Sequence, residues 1–374
     1  MLEEIFNTSN FFFWIFLLII ISAIIIFILY SFSTYFKFVY PNAKFEAIGN
    51  PFLEEKEINK IVDSKDLTNF KESIKKSTNY DIDGNTIFEI QRSLDKHFFQ
   101  TVEMMRKDSS KKMNDFFDLY IEKFDIFLIK NIIKKILNDE KVDQKIIDDA
   151  LKQNTKKLLF RLIDSKKEEI PVILKDYGFK KEILNVFSKE KVDFLALDTA
   201  FDKNFINRFK DLRVPRKCGK AKLKFVCYLT DITNIKNILR AKQIGYSKEI
   251  CNSLLLGGGQ ELADWRYKQM CESNSIVEVV SSLEATSYYN ILKELLDFYN
   301  KEKSIQILEN ALDIQFLKIV KDLSVENYIT IGPTLRFIVS KEFEIKNLKI
   351  IAKGLGENLP TDLIKKFVIT EYSL

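Results

Sequence analysis

The sequence predicts an all-α protein. Its 374 residues contain only 11 Gly and 6 Pro, which is too few turn residues for a sandwich or barrel of many short strands. Long stretches instead repeat apolar residues with a period of about 3.6, as amphipathic helices do. A phrase that begins with an acidic residue also recurs three times at domain-sized spacing. We therefore expect three similar helical domains, preceded by one helix that spans a membrane.

The first predicted element is this transmembrane helix. Residues 11–30, FFFWIFLLIIISAIIIFILY, carry no charge, and about 20 apolar residues suffice to cross the hydrocarbon core as a helix. A cleaved signal peptide is the alternative, but Glu3 and Glu4 stand where such a peptide carries Lys or Arg. Positive charge begins after the run, at Lys37 and Lys44. We therefore expect a single pass through the cell membrane, with the amino terminus outside and the bulk of the chain in the cytoplasm.

The recurring phrase reads DIFLIKN, DITNIKN and EIKNLKI in its three copies. Apolar residues follow the acid at helical spacing, so each copy predicts one amphipathic helix. A lysine stands five positions after each acid. The acids are Asp125, Asp231 and Glu344, and the lysines are Lys130, Lys236 and Lys349. One such helix is common and means little, so the recurrence of other phrases in the same order is the test.

Two further phrases keep that order. LDKHFF, FDKNFI and LDIQFL come about thirty residues before the acids, and VDSK, IDSK and the weaker CESN come earlier again. The unit is roughly 105 to 113 residues long, much longer than a solenoid repeat. We expect the aspartates of the LDKHFF-like phrase to make the same local helix contact in each unit; they are Asp95, Asp202 and Asp313.

These landmarks predict four segments. The N-terminal segment with the membrane helix covers residues 1–36, and the repeats cover residues 37–145, 146–255 and 256–374. Three head-to-tail copies close into a ring when each step turns by about 120°, and otherwise extend as an open array. A closed trio has a cup or hole on its axis.

No residue pattern predicts catalysis or metal binding. The chain has one histidine, His97, and its four cysteines lack the paired CxxC spacing of a zinc site. The loop GGGQEL at residues 257–262 lacks the lysine and hydroxyl of a phosphate-binding loop, so we expect it to join two helices. His97 aligns with Asn204 and Gln315 of the other copies, which indicates a polar helix position. We expect no catalytic site, cofactor, metal or small-molecule substrate.

The most basic stretch is RFKDLRVPRKCGKAKLKF, residues 208–225. A solvated charged face is the usual explanation of such a run. The functional alternative is contact with anionic headgroups or with an acidic partner protein. Nucleic acid is disfavoured because aromatic platforms do not interleave with the cations. The candidate contact residues are Arg208, Lys210, Arg213, Arg216, Lys217 and Lys220.

The threefold phrase, LLLGGGQEL at residues 254–262 and YPNAKFEAIGNPFL at residues 40–53 resemble the C subunit of the archaeal-type ATP synthase, which is homologous to the d subunit of vacuolar-type ATPases. Members commonly carry an arginine where this chain has Lys44. The resemblance covers essentially everything after Tyr40, and the triple register carries most of its weight. The membrane helix is outside the family pattern.

The resemblance implies an all-helical, pseudo-threefold funnel that is seated on the membrane proteolipid ring and receives the D and F subunits of the central shaft in its mouth. Such a non-catalytic rotor component links ATP synthesis or hydrolysis to proton or sodium movement. Whether the membrane helix stands inside the ring or beside it is open at this point. The rival interpretation is a membrane-anchored helical scaffold or adaptor unrelated to ATPases.

Overall fold

The computed structural model describes residues 11–49, 53, 55–78, 80–188 and 191–369. Helices account for the regular structure of these residues, and no strand occurs among them, so the all-α prediction is confirmed. Residues 1–10, with Glu3 and Glu4, lie outside the described residues. So do residues 370–374 at the end of the third predicted repeat.

The long α-helices occur in pairs, and shorter α-helices connect one pair to the next. In chain order they are α1 (Phe11–Ile48), α2 (Glu55–Val62), α3 (Leu67–Thr78), α4 (Ile87–Asp108), α5 (Asn114–Leu137), α6 (Gln153–Ile163), α7 (Ile170–Asp176), α8 (Lys181–Leu184), α9 (Phe194–Asp211), α10 (Gly219–Ile244), α11 (Lys248–Ser253), α12 (Asp264–Glu272), α13 (Ile276–Ser281), α14 (Tyr289–Lys293), α15 (Leu296–Glu302), α16 (Gln306–Glu326), α17 (Gly332–Gly356) and α18 (Thr361–Phe367). Short 3₁₀-helices occur at Lys111–Met113, Gln144–Asp149, Lys167–Glu169 and Asn185–Ser188.

Helix α1 contains the apolar run and continues beyond it. Among the described residues it is the one helix long and apolar enough to cross a membrane. It passes residue 36, the predicted end of the membrane segment, without a break. Side chains of the apolar run are largely exposed, whereas Thr34, Phe38 and Phe45 are buried on one helical face. The carboxyl half of α1 is therefore part of the protein core.

Three long helix pairs form hairpins, one for each copy of the repeated phrase. Hairpin 1 is α4 and α5, hairpin 2 is α9 and α10, and hairpin 3 is α16 and α17. Local sequence fixes several of their ends. Thr86 and Glu89 form a capping box at the start of α4, Asp193 caps α9, and Pro333 stands in the first turn of α17.

The hairpins contact one another in a closed cycle. Helix α5 of hairpin 1 packs on α9 of hairpin 2, and α10 packs on α16 of hairpin 3. Helix α17 then packs on α4, which returns to hairpin 1. The three hairpins therefore do not form an open row. The funnel shape and the boundaries of the three repeats stay predictions.

Shorter helices connect consecutive hairpins. Helices α6 to α8 lead from hairpin 1 to hairpin 2, and α11 to α15 lead from hairpin 2 to hairpin 3. Between hairpins 3 and 1 the connection is made by two separate pieces of chain, since α18 contacts α2, and both α2 and α3 contact α17. Helices from an early and a late part of the chain thus meet at the third seam, the contact between hairpins 3 and 1.

Candidate functional site

Ion pairs at the seams between hairpins use the repeated residues. Lys130 Nζ lies 3.1 Å from an oxygen of Asp202, and Lys236 Nζ lies 2.5 Å from an oxygen of Asp313. The third lysine of the phrase, Lys349, pairs with Asp95. Each lysine therefore binds the aspartate of the next copy, and the last copy binds the first.

The expectation of a local contact within each unit is thus wrong. The lysine lies on the second helix of its hairpin, on the face that packs against the first helix of the next hairpin. Its aspartate partner is consequently supplied across the seam. Three copies of one ion pair join the three hairpins around the closed cycle.

A second set of pairs stands one helical turn away at two seams. Lys134 Nζ lies 2.7 Å from an oxygen of Asp198, and Arg240 binds Glu309 through two nitrogens at 2.5 and 2.9 Å. The bases stand nine positions after the acid of the phrase, and the acids stand four positions before the repeated aspartate. This second register was visible in the sequence at two of the three copies. The first copy, which supplies the acid position of the third seam, has Gln91 there.

The seam carboxylates differ in their surroundings. Asp313 is almost fully buried, which acts to raise its pKa, but the ammonium groups of Lys236 and Lys346 outweigh burial and hold the pKa below its ordinary value. Burial also acts on Asp95, where it outweighs the single ammonium of Lys349 and raises the pKa. The carboxylate with two lysine partners is therefore the better stabilised anion.

The acids of the repeated phrase bind the connectors. The Asp125 carboxylate accepts hydrogen bonds from the backbone N–H groups of Leu151 and Lys152 at 2.8 and 3.0 Å, and from the Thr155 hydroxyl at 2.6 Å. These donors lie at the start of α6. Burial raises the pKa of Asp125 despite these bonds. The acid thus positions the helix that leaves its hairpin.

Asp231 does the same in the second copy. Its carboxylate accepts hydrogen bonds from the N–H groups of Gln260 and Glu261 at 2.8 and 2.9 Å, and from the hydroxyls of Tyr267 and Tyr288. Burial raises its pKa as well. The GGGQEL segment is a loop between α11 and α12, as expected, and it closes over a buried carboxylate rather than presenting a phosphate cradle.

The third acid, Glu344, has partners from a distant part of the sequence. It accepts a hydrogen bond from the Tyr80 hydroxyl, 264 residues away, and pairs with Lys341 at 3.1 Å. Burial raises the pKa of Glu344 to about 7, against the opposing effect of Lys341. Tyr80 precedes hairpin 1, so the third acid binds the piece of connector supplied by the early part of the chain.

Two buried asparagines also hold connectors in the same register. Asn234 exchanges hydrogen bonds with the backbone of Leu256 and Gly257, and Asn347 does so with Ile369. Leu256 and Ile369 each stand 22 residues after their asparagine. The extended segments after hairpins 2 and 3 are therefore held by equivalent side chains.

His97 lies on α4, as expected for a polar helix position. Its ring lies against Tyr80, with ring centroids 4.0 Å apart, and burial lowers its pKa. Within the described ranges no cluster of three or more His, Cys, Asp or Glu side chains could hold a metal ion.

The basic stretch divides between two environments. Arg208 and Lys210 lie on α9, and Arg208 binds Glu122 of α5, with Nη2 2.9 Å from Oε2. Arg213, Arg216 and Lys217 lie in the loop between α9 and α10, and Lys220 lies at the start of α10. Arg213, Arg216, Lys217 and Lys220 are all exposed. The structure therefore separates Arg208 from the loop cations.

Two of the loop cations contact α1 where its apolar run ends. The Arg216 guanidinium lies 5.1 Å from the centre of the Tyr30 ring. Lys217 Nζ lies 2.9 Å from the carbonyl oxygen of Ser31 and 4.4 Å from the centre of the Tyr35 ring. Cations over aromatic faces are attracted by the ring quadrupole. The hairpin 2 turn is thus attached to α1 at the edge of the apolar segment.

The other hairpins contact α1 at the same end. Asn42 donates to the carbonyl oxygens of Tyr328 and Thr330, in the hairpin 3 turn, at 2.8 and 2.9 Å. Lys44 lies 2.7 Å from Asp108, the last residue of α4 before the hairpin 1 turn. We call this end, formed by the turns at residues 109–113, 212–218 and 327–331, the base.

A large cavity lies toward the opposite end of hairpin 1. It has a volume of about 1460 Å³ and is bordered by α4, α5 and α17. Phe88 and Phe127 border it with 52% and 63% of their surface exposed. Phe127 stands 13 residues along α5 from the hairpin turn, about 20 Å away at 1.5 Å per residue. The cavity and the base are thus at different ends of the hairpins.

A closed cycle of three ion-paired hairpins, with a helix of membrane-spanning length attached at its base, defines an all-helical protein built from three repeated hairpins. The chain belongs to the ATP synthase (C/AC39) subunit family, whose model matches residues 41–367. That match begins after the apolar run. Family membership excludes the rival interpretation of a scaffold unrelated to ATPases.

Individual relatives agree with this assignment. The chain is 27% identical over 365 residues to the C subunit of the A-type ATP synthase of Methanosphaera stadtmanae, covering 94% of this chain and 93% of the relative. It is 28% identical over 343 residues to the protein of the same name from Methanobrevibacter smithii, covering 89% and 88%. The corresponding Thermococcus kodakarensis protein is 27% identical over 341 residues, covering 89% and 91%.

Proposed function

We propose that this chain is the non-catalytic rotor component that couples the central shaft of an ATP synthase to the proteolipid ring. Its base would rest on the ring, and its opposite end would receive the D and F subunits of the shaft. The observation that carries the proposal is the closed hairpin cycle with a membrane-length helix at one end and an apolar-lined cavity at the other. Torque would pass through the seam ion pairs and the packed helices between them.

The contacts at the base support its position at a membrane surface. The apolar run of 20 residues is about 30 Å long as a helix, which matches the hydrocarbon thickness of a bilayer. Tyr30 ends the run, and Arg216 and Lys217 lie beside that point. Aromatic and cationic side chains are favoured at the headgroup level. We therefore place the bulk of the chain on the cytoplasmic side of the cell membrane, with the amino terminus outside.

Charge reversal tests the base. Changing Arg213, Arg216 and Lys217 to Glu should weaken attachment of the chain to the ring and membrane at low salt, because each cation near an anionic surface contributes about 1 kcal/mol. The matched control reverses three cations away from the base, Lys175, Lys180 and Lys181. Attachment that is unchanged in the base variant, or equally weakened in the control, would favour a merely solvated face.

The cavity is the candidate socket for the shaft. Exposed Phe88 and Phe127 offer apolar surface where a helical partner could pack. Phe127→Asp should reduce retention of the shaft while the ring stays bound. Phe160→Asp is the control, because Phe160 is 58% exposed on α6 and lies outside the residues that border the cavity. Equal retention of the shaft in both variants would place its binding site elsewhere.

Purification tests the function as a whole. The tagged full chain, isolated from gently solubilised membranes, should bring proteolipid and ATPase head proteins in constant ratio, with one copy of the chain per complex. Recovery of the chain without these proteins would contradict the proposal. No nucleic acid or small-molecule substrate is expected in the preparation. An activity of the isolated chain that one polar substitution abolished would instead support an enzyme.

A further inference from the structure

We propose that the apolar half of α1 stands in the lumen of the proteolipid ring, surrounded there by lipid, and turns with the ring. The inference rests on the proposed rotor function and assigns a place to the membrane helix that the family pattern does not include. It is carried by the way α1 is attached to the base.

The attachment of α1 is rigid. One helix runs from Phe11 to Ile48, and its interior proline, Pro41, has buried anchors on both sides. Phe38 is 1% exposed before the proline, and Phe45 is 1% exposed after it. The Phe45 ring also stacks on Phe337 of α17, with centroids 5.2 Å apart. If the helix bent at Pro41, its apolar half would still be fixed to the protein, because buried Phe38 anchors the part of the helix before the proline.

The attachment is also central. In the helix cycle, the turn of hairpin 2 lies opposite the seam between hairpins 3 and 1. Helix α1 contacts the hairpin 2 turn through Ser31 and Tyr35, and it contacts hairpins 3 and 1 through Asn42 and Lys44. Seven residues along the chain separate Tyr35 from Asn42, about 10 Å of helix. The helix is therefore held among the turns of all three hairpins instead of lying against the outer wall of one of them.

A fixed helix on a rotor has few places in a membrane. If it stood outside the ring, each turn would carry it through the bilayer into the stationary membrane protein against which a rotary ring moves. If it stood in the lumen, it would turn in place with the ring. A helix held among the three turns of the base enters the bilayer near the axis of the cycle, which is the position of the lumen.

The surface of the spanning helix indicates what surrounds it. Membrane helices that pack tightly against each other use small residues at their contact. In residues 11–30 the small residues are Ser22 and Ala23, and bulky Phe, Ile and Leu side chains cover all sides. Within the apolar run, most of these side chains are exposed in the folded chain. This surface fits acyl chains in the lumen better than close contact with the proteolipid helices.

Electron microscopy of the intact complex tests the inference. The full chain should give a rod of density inside the ring, and a variant lacking residues 11–30 should lack that rod while its coupler density stays between shaft and ring. A central density unchanged by the deletion, or an additional rod outside the ring, would overturn the inference. Coupler density absent from the space between shaft and ring would instead overturn the proposed function.

A photoreactive residue placed in the full chain gives a second test, which does not require the deletion variant to assemble into the complex. With p-benzoylphenylalanine at Phe27, which is 70% exposed, adducts should be confined to lipid and proteolipid. An adduct with the stationary membrane protein would contradict the inference. The same residue at Phe160, on a connector helix, is the control and should give neither proteolipid nor lipid adducts.

Discussion

Removing the ammonium group of Lys236 should lower the free energy of unfolding more than removing the ammonium group of Lys130. Lys236 and its partner Asp313 have side chains only 15% and 9% exposed, whereas Asp202, the partner of Lys130, is 38% exposed. Breaking a buried pair by deleting one charge costs about 3–5 kcal/mol, because the other charge stays buried. Asp313 keeps Lys346 at 2.7 Å, so we expect Lys236→Met to lower the free energy of unfolding by about 2–3 kcal/mol.

The matched variant is Lys130→Met at the preceding seam. Asp202 can be solvated after the change, so the expected loss is about 1 kcal/mol or less. Methionine keeps the apolar stem of either lysine and removes only the charge and its donors. Denaturant unfolding of the full chain in detergent, followed by far-ultraviolet circular dichroism, measures both losses.

A double-mutant cycle isolates the pair itself. Lys236→Met and Asp313→Asn, alone and together, should show a coupling energy of about 2 kcal/mol, within the range known for contacting residues. Equal losses for Lys236→Met and Lys130→Met, or a coupling energy near zero, would refute the argument that burial makes this seam pair structurally important.

Two further variants test the buried acids that hold the connectors. Since Glu344 has a pKa of about 7 in the fold and 4.5 as its ordinary value, the native state binds more protons between these values. Stability should therefore fall by up to about 3 kcal/mol as pH rises from 4.5 to 7. Glu344→Gln should flatten that pH dependence of the denaturant midpoint, and an unchanged slope would contradict the assignment. A Cβ at Gly259 would overlap the Asp231 carboxylate, whereas one at Gly258 would meet its nearest neighbour at 3.6 Å. Gly259→Ala should cost about 1–3 kcal/mol, and Gly258→Ala should stay within about 0.5 kcal/mol; similar losses in unfolding experiments would show that the loop does not close as described.

Much of the fold follows from local sequence. The helical period, the scarcity of Gly and Pro and the apolar run predict an all-α chain with one membrane-length helix, because these signals act within a few turns of helix. The repeated phrase also identified the residues of the seam pairs. It did not identify their partners, because spacing along one helix tells which face a residue occupies and not which helix covers that face.

The contacts that close the molecule have no local signal. Glu344 meets Tyr80 from 264 positions away, and Lys217 meets Ser31 from 186 positions away. Such pairs are fixed by the order in which the hairpins pack. The difference between Asp313 and Asp95 likewise depends on Lys346, which reaches Asp313 from the neighbouring helix of its own hairpin. The burial of each carboxylate and the number of its partners could therefore be read only from the three-dimensional structure.

Cross-linking of the intact ATP synthase, read by mass spectrometry, tests whether this chain joins the central shaft to the proteolipid ring. We expect Lys111 and Lys112, in the exposed turn of hairpin 1 at the base, to link to the proteolipid loops. Lys134 and Lys135, which border the cavity at the other end, should link to the central shaft. Links from both ends to stationary proteins of the complex, or none from the base to the proteolipid, would contradict a coupler that joins shaft and ring.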